Sequence, residues 1–206
     1  MNTAKHPPIR FKISGGFLLR LSVIWFFDRD NLLFALLPGV LFHELGHLAA
    51  MSLFDVRPTA ICADATGLTI HSFGELSLKS SLVIAFFGPF FGLSFALLCA
   101  QLGAAFKNQF LFMCAGIGLI LNLFNLLPLM PLDGGRIAKK LLCLWLGEAH
   151  GRTASATLSF LGSFIIAALG FALVSRGHGA ALLVAGFWLI LLQINTACKT
   201  GTFGIK

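Results

Sequence analysis

Two histidines and a glutamate stand close together in an otherwise apolar stretch that runs from Asn31 to Phe54. On a helix, residues four apart lie on the same face, so His43 and His47 can present an imidazole nitrogen to one ion. Glu44 points about 100° away around the helix axis, which suits a base that contacts a metal-bound water. Because zinc lowers the pKa of such a water to about 7, the pattern predicts two zinc ligands and a general base.

The surroundings of this motif make a chance match a poor explanation. Insertion scales assign a cost of about 2.5 to 3.5 kcal/mol to a charged residue such as aspartate at the centre of a spanning helix, so an acidic group there indicates a functional site. Gly46 has no side chain and leaves room beside the histidines for a substrate backbone or for a neighbouring helix. We therefore expect Gly46 to contribute to substrate binding.

A third ligand is needed, because catalytic zinc sites use three protein ligands and keep the fourth position open for water or substrate. The best candidate is Asp133, which follows Pro128 and Pro131 at the end of an apolar run and precedes two glycines. The prolines interrupt helical hydrogen bonding. A broken helix is tolerated at membrane depth only where protein or a wet cavity satisfies its backbone, so we expect Asp133 to face a cavity.

Asn125 lies just before the two prolines. Its carboxamide either hydrogen-bonds the substrate backbone or a developing oxyanion, or it bonds a neighbouring helix. We place Asn125 and Pro128 with Gly46 in the predicted substrate-binding region. His71 is a further candidate ligand, although a histidine in a loop is more often simply solvated.

Composition indicates a membrane protein. The chain has 206 residues, of which 57% are hydrophobic and 11% charged, against about 25% charged in soluble domains. Apolar runs of about 20 residues recur, as a hydrocarbon core of about 30 Å requires. The net charge is +7, but no basic stripe is interleaved with aromatic residues, so we expect the lipid bilayer and no nucleic acid as a partner. The scattered cysteines show no C-x-x-C spacing and are interpreted as core residues.

The apolar runs predict an all-α polytopic membrane protein with six transmembrane helices, at about 15–27, 32–54, 82–106, 110–127, 156–174 and 180–197. Between the second and third spans, strand-forming residues with glycine punctuation predict a short membrane-associated β-hairpin. This hairpin is either an edge for an extended substrate segment or a plain connection. We expect residues 1–206 to form a single membrane-embedded domain, with a core at 14–146 and no soluble accessory domain.

The basic residues predict the orientation of these spans. An even number of spans puts both termini on one side, and most lysines and arginines lie on that side, with Arg29, Lys107 and Arg176 opposite. By the positive-inside rule both termini are cytoplasmic. At about 1.5 Å per residue, His43 lies about 18 Å from the outer end of its helix, so we expect the site in the cytoplasmic half of the bilayer.

These residues resemble the site-2 protease family of intramembrane zinc metalloproteases. The resemblance rests on His43-Glu44-Leu45-Gly46-His47, on Asn125 with Pro128, Pro131 and Leu132-Asp133-Gly134, and on Gly88-Pro89. It implies that His43, His47 and Asp133 hold one zinc ion per chain and that Glu44 is the general base and acid. The spacing is similar to the compact branch that contains the pro-sigma-factor-processing sporulation protease.

The resemblance also implies a reaction and a place. We expect a zinc metalloendopeptidase of a prokaryotic cell membrane that cuts a membrane-anchored regulatory protein within or next to its transmembrane segment, which is regulated intramembrane proteolysis. A peptide bond inside a helix is already hydrogen-bonded, so the substrate span should carry helix-weakening residues. A regulatory membrane partner and a homo-oligomer both stay open. One departure is Gly92, which stands where many relatives have the asparagine of Gly-Pro-x-x-Asn.

The alternative is a non-catalytic metal-binding membrane scaffold or a metal transporter. A transporter should show matched broken helices in its two halves, whereas this sequence has one break, at 128–135. A scaffold would be indifferent to losing the base. A Glu44→Gln variant that retains zinc therefore separates the enzyme from the scaffold.

Overall fold

The computed structural model describes residues 10–14, 22, 25–26, 28, 32–56, 58–64, 67–72, 77–177 and 179–199. These residues form three strands and six helices: β1 (Arg10–Ile13), α1 (Leu32–Leu53), β2 (Pro58–Asp64), β3 (Gly67–Ser72), α2 (Leu78–Phe106), α3 (Gln109–Asn125), α4 (Asp133–Leu146), α5 (Glu148–Ser175) and α6 (Ala181–Lys199). The chain divides into two compact units, Met1–Asn122 and Leu123–Lys206. The predicted, mostly helical architecture is confirmed.

Three of the described helices, α1, α2 and α5, are long and apolar enough to cross a membrane. Helix α3 and the segment Ala181–Ile194 of α6 are apolar but shorter. The first predicted span, 15–27, lies outside the described residues apart from Ser22, Trp25 and Phe26. The count of six spans therefore stays a prediction, as do the single domain and the orientation in the bilayer.

Small side chains hold the helices of the first unit close together. Ala35 of α1 is buried with Cys99 of α2 and with Cys114 and Ala115 of α3. A Cβ atom added to Gly39 would lie 3.6 Å from the Cα atom of Gly118. Close backbone approach is how helices associate in lipid, where burial of apolar surface gives little driving force. As a result α2 and α3 both pass alongside the helix that carries the histidines.

The strands form one sheet in the order β1-β2-β3, with β1 parallel to β2 and β2 antiparallel to β3. The sequence predicted only a hairpin in this region, and the structure adds β1. Phe11 and Ile13 alternate with basic residues in β1, which is the period of a strand and was a signal that the sequence analysis did not use. Association of the sheet with the membrane surface stays a prediction. The side chain of His71 lies outside the described part of the structure.

Asp133 begins a separate helix, which corrects the expectation that it lies at the kinked end of the fourth span. Helix α3 ends at Asn125, and α4 begins at Asp133 after a turn that contains Pro128 and Pro131. Proline lacks the N–H that would continue a helix, which explains the break. Charged residues among the apolar ones make α4 amphipathic, so a search for long apolar runs missed it.

Helix α5 starts earlier than the predicted span. It begins at Glu148, and only Gly147 separates it from α4. The φ angle of Gly147 is 79°, a left-handed conformation that glycine adopts without steric penalty. Helix α5 then packs against both α4 and α6 within the second unit.

Candidate metal centre

His43 and His47 lie one turn apart on α1 with their side chains buried, at 5% and 8% exposure. Their Nε2 atoms are 3.2 Å apart, and the two rings meet edge to face with 4.8 Å between the centroids. The four-residue spacing thus places both imidazoles at one point beside the helix.

The other ring nitrogens show which atom of each histidine carries the proton. Asn122 donates through Nδ2 to the carbonyl oxygen of Gly118 at 2.7 Å, so its Oδ1 atom faces Nδ1 of His43 at 2.8 Å. Nδ1 of His47 lies 2.8 Å from the carbonyl oxygen of Ile84. Both partners are acceptors, so each Nδ1 donates a hydrogen bond.

A neutral imidazole has one N–H, so both Nε2 atoms carry a lone pair and no proton. Two Nε2 lone pairs 3.2 Å apart can share one cation. Metal-binding histidines characteristically donate their second N–H to a carbonyl or carboxylate, as these two do. The hydrogen bonds of His43 and His47 therefore fit a metal ion bound through the two Nε2 atoms.

Asp133, the predicted third ligand, offers a carboxylate. It is the first residue of α4 and only 6% exposed, and the positive end of the helix dipole favours its negative charge. Nη1 of Arg136 lies 3.8 Å from Oδ1, a long contact from a half-exposed side chain that contributes little. One ligand atom each from His43, His47 and Asp133 lies within 4.8 Å of the others. Two imidazole nitrogens and one carboxylate oxygen are the ligands of a hydrolytic zinc site with an open position.

Two glycines of α2 face the side chains of His47 and of Asn122, the hydrogen-bond partner of His43. A Cβ atom added to Gly88 would clash with the imidazole ring of His47, and one added to Gly92 would clash with the carboxamide of Asn122. Both glycines are buried. Helix α2 therefore passes the site without side chains at these positions, and this leaves the space that His47 and Asn122 occupy.

Of the other predicted site residues, Glu44 is half-buried on α1, and Asn125 is half-buried as the last residue of α3. Pro128 is exposed in the turn after α3. Gly46 is buried against the backbone of α2, where an added Cβ would clash with the carbonyl group of Phe87. A neighbouring helix thus approaches Gly46, which is one of the two uses expected for it. The catalytic role of Glu44 and the substrate-binding roles of Asn125, Pro128 and Gly46 stay predictions.

Asn122 is the site residue that sequence reasoning missed. It is fully buried, at 0% exposure, and lies one turn before Asn125 on α3. The available signal was Gly92, which replaces the asparagine expected in α2, together with a second asparagine on α3. Pairing the two positions requires the tertiary structure, because they belong to different helices.

Comparisons with known proteins give a consistent result. The sequence matches the family described as Peptidase family M50 over residues 100–169. Rip3 of Mycobacterium tuberculosis strains Erdman and H37Rv, named as a zinc metalloprotease, is 30% identical over 174 residues, which cover 76% of this chain and 42% of Rip3. The chain therefore spans less than half the length of these curated relatives. Their descriptions indicate homology to zinc metalloproteases.

A solved structure shares the fold. The Site-2 Protease from Methanocaldococcus jannaschii superposes with a TM-score of 0.70 at 23% identity, over 95% of this chain and 94% of that chain. At this level of identity the likeness concerns the fold alone. The long apolar helices α1, α2 and α5 indicate a membrane protein.

Proposed function

We propose that this chain is an intramembrane zinc metalloendopeptidase, and the match to Peptidase family M50, the likeness to Rip3 and the fold shared with a site-2 protease support this proposal. The enzyme hydrolyses a peptide bond within or next to the transmembrane segment of a membrane-anchored regulatory protein. The observation that supports the proposal is the buried group of His43, His47 and Asp133, in which the Nε2 atoms of the two histidines are 3.2 Å apart.

Each residue of the group has a task in this reaction. When bound, zinc supplies Lewis acidity toward the scissile carbonyl group and lowers the pKa of water. His43 and His47 bind through Nε2, and their hydrogen bonds to Asn122 and to the α2 backbone keep the rings in that orientation. Glu44 takes a proton from the attacking water and donates it to the leaving amine.

The substrate must expose a peptide bond before this chemistry can occur. A spanning helix hydrogen-bonds its own backbone, so the substrate segment unwinds locally, and residues that weaken helices favour cleavage. We assign contacts with the unwound segment to Asn125, Pro128 and Gly46. We place the reaction in the cytoplasmic half of a prokaryotic cell membrane, with both termini of the protease in the cytoplasm.

The proposal is tested by co-expressing the full chain with candidate single-span regulators and measuring cleavage and bound zinc. Glu44→Gln removes the base but no ligand, so we expect a rate lower by about 10²- to 10⁴-fold with zinc retained. Glu148→Gln makes the same change at an exposed residue of α5 that pairs only with Arg152 among the described contacts, and should cleave like the wild type. Zinc binding by the wild type without cleavage of any regulator would instead favour the metal-binding scaffold or transporter, and cleavage by Glu44→Gln at the wild-type rate would contradict the role of Glu44.

A further inference from the structure

The turn between α3 and α4, residues 126–132, presents Asp133 at the start of its helix. Within it the Leu132 N–H donates to the carbonyl oxygen of Leu129 at 2.9 Å. The Met130 N–H points out of the turn and donates to the Oγ atom of Ser159 on α5 at 3.0 Å. The backbone just before Asp133 is therefore bonded to a helix that the proposed reaction does not otherwise use.

Gln193 of α6 engages the other polar group of the same residue. Its Nε2 atom lies 3.2 Å from the carbonyl oxygens of both Met130 and Ser159, and 2.7 Å from Oγ of Ser163. The Ser163 hydroxyl donates to the carbonyl oxygen of Ser159 at 2.9 Å, so it accepts from Gln193. Both the N–H and the carbonyl group of Met130 are thus held by α5 and α6.

The turn is also confined by packing on two sides. A Cβ atom added to Gly135 in the first turn of α4 would clash with the carbonyl group of Leu129. The Leu129 side chain is 3% exposed and lies against Gly162 of α5, where an added Cβ would meet it. The peptide that joins Leu129 to Met130 therefore lies between α4 and α5, and a shift of this peptide would move the start of α4.

Space filling does not explain a glutamine at position 193. Its Oε1 atom is buried and has no hydrogen-bond partner among the described residues. A buried acceptor without a hydrogen-bond partner destabilises the folded state relative to an apolar group of similar size. A leucine would fill the position without that loss, so the donor bonds of Nε2 are the property that distinguishes glutamine here.

We propose that Gln193, together with Ser159, is a positioning residue for the metal ligand Asp133. The two side chains hold the peptide groups on either side of Met130, and these set where α4 begins and where its first carboxylate lies. This inference rests on the proposed function, in which Asp133 binds zinc. Helices α5 and α6 then position a metal ligand, in addition to any role they have in spanning the bilayer.

The test uses the full chain in detergent and the variant Gln193→Leu. Zinc affinity is measured by competition with a chromophoric chelator, and the visible spectrum of the Co²⁺-substituted protein reports the geometry of coordination. Loss of an outer partner typically weakens metal binding by about 10- to 100-fold. We expect a zinc Kd about 10-fold higher and an altered Co²⁺ spectrum, with a melting temperature of the metal-free protein no lower than that of the wild type.

Ser159→Ala provides a second, independent variant. It removes the acceptor of the Met130 N–H and should raise the zinc Kd in the same direction. Because both side chains bond the backbone of one residue, Met130, the double variant should lose less affinity than the product of the single effects. Ser155→Ala is the matched control, since Ser155 is 3% exposed on the same helix and takes no part in these bonds. Its zinc Kd should equal that of the wild type.

Two outcomes overturn the inference in different ways. If the wild type binds zinc, and Gln193→Leu and Ser159→Ala keep its Kd and Co²⁺ spectrum while melting at lower temperature, the network only packs the second unit. If the wild type itself binds neither Zn²⁺ nor Co²⁺, the proposed function fails and the inference fails with it. The zinc Kd of the wild type thus distinguishes the two failures.

Discussion

Asn122 controls the orientation and tautomer of His43. Its Nδ2 atom is committed to Gly118, so its Oδ1 atom accepts from Nδ1 of His43, and Nε2 is left as the ligand atom. A histidine without this partner would rotate and would exchange between tautomers. The nitrogen through which His43 can bind a metal thus depends on a residue of another helix.

We predict that Asn122→Leu weakens zinc binding by about 10- to 100-fold, the usual effect of removing an outer partner of a ligating histidine. Asn122→Asp keeps an acceptor for His43 and should retain most of the affinity. Chelator competition on the purified variants measures both values. Wild-type affinity in Asn122→Leu would show that His43 needs no partner.

At the scale of helices, α2 leaves room for the site because it has glycine at positions 88 and 92. Gly88 and Gly92 leave the volume taken by the His47 ring and by the Asn122 carboxamide, and Gly46 lets the backbone of α2 lie against α1. A protein interior has little free volume, so an added methyl group at such a contact displaces its neighbour. Here the neighbour of Gly88 is His47, a predicted metal ligand.

We predict that Gly88→Ala lowers both zinc occupancy and any proteolytic activity, because the new methyl group would overlap the His47 imidazole. Gly116→Ala is the matched control, since an added Cβ on this α3 glycine meets nothing within 4 Å. In a helix interior, alanine is favoured over glycine by about 0.5 to 1 kcal/mol, so the control should be no less stable than the wild type. Zinc content after gel filtration and the melting temperature distinguish the two variants.

The close packing of the first turn of α4 leads to a prediction for the stability of the protein. A methyl group at Gly135 would meet backbone atoms of Leu129 and Met130, which cannot rotate away as a side chain can. We expect Gly135→Ala to destabilise the protein by about 1 to 3 kcal/mol, the usual range for overpacking. Gly179→Ala, where an added Cβ meets nothing within 4 Å, should leave the melting temperature unchanged. Equal melting temperatures for the two variants would contradict this packing.

On the scale of the whole molecule, a bound ion would link residues that are far apart in the sequence. A ligand that binds only the folded state stabilises it by about 2.7 kcal/mol when present at 100 times its Kd. The metal should therefore contribute to the stability of the chain as well as to catalysis.

We predict that zinc raises the melting temperature of the wild type in detergent and that a chelator lowers it again. Asp133→Asn replaces a charged ligand by a neutral one, so its melting temperature should respond weakly to zinc. Calorimetry or intrinsic fluorescence of the two proteins, with and without chelator, measures the difference. An equal response in Asp133→Asn would exclude this carboxylate as a ligand.

Residues and patterns close together in the chain were sufficient to predict the membrane character, the histidine pair and the broken segment before Asp133. Each depends on composition or on helix periodicity, which a sequence contains directly. Long apolar runs predicted helices near α1, α2, α3, α5 and α6 but not α4, because an amphipathic helix has no long apolar run.

Only the tertiary structure decided how the ligands are held. Asn122 accepts from His43, Gly88 makes room for His47, and Gln193 holds the turn before Asp133. Each is a contact between different elements, whose partners depend on which faces of the helices meet. Local sequence determines the chemistry that each residue can perform, whereas helix packing determines which residues become its partners.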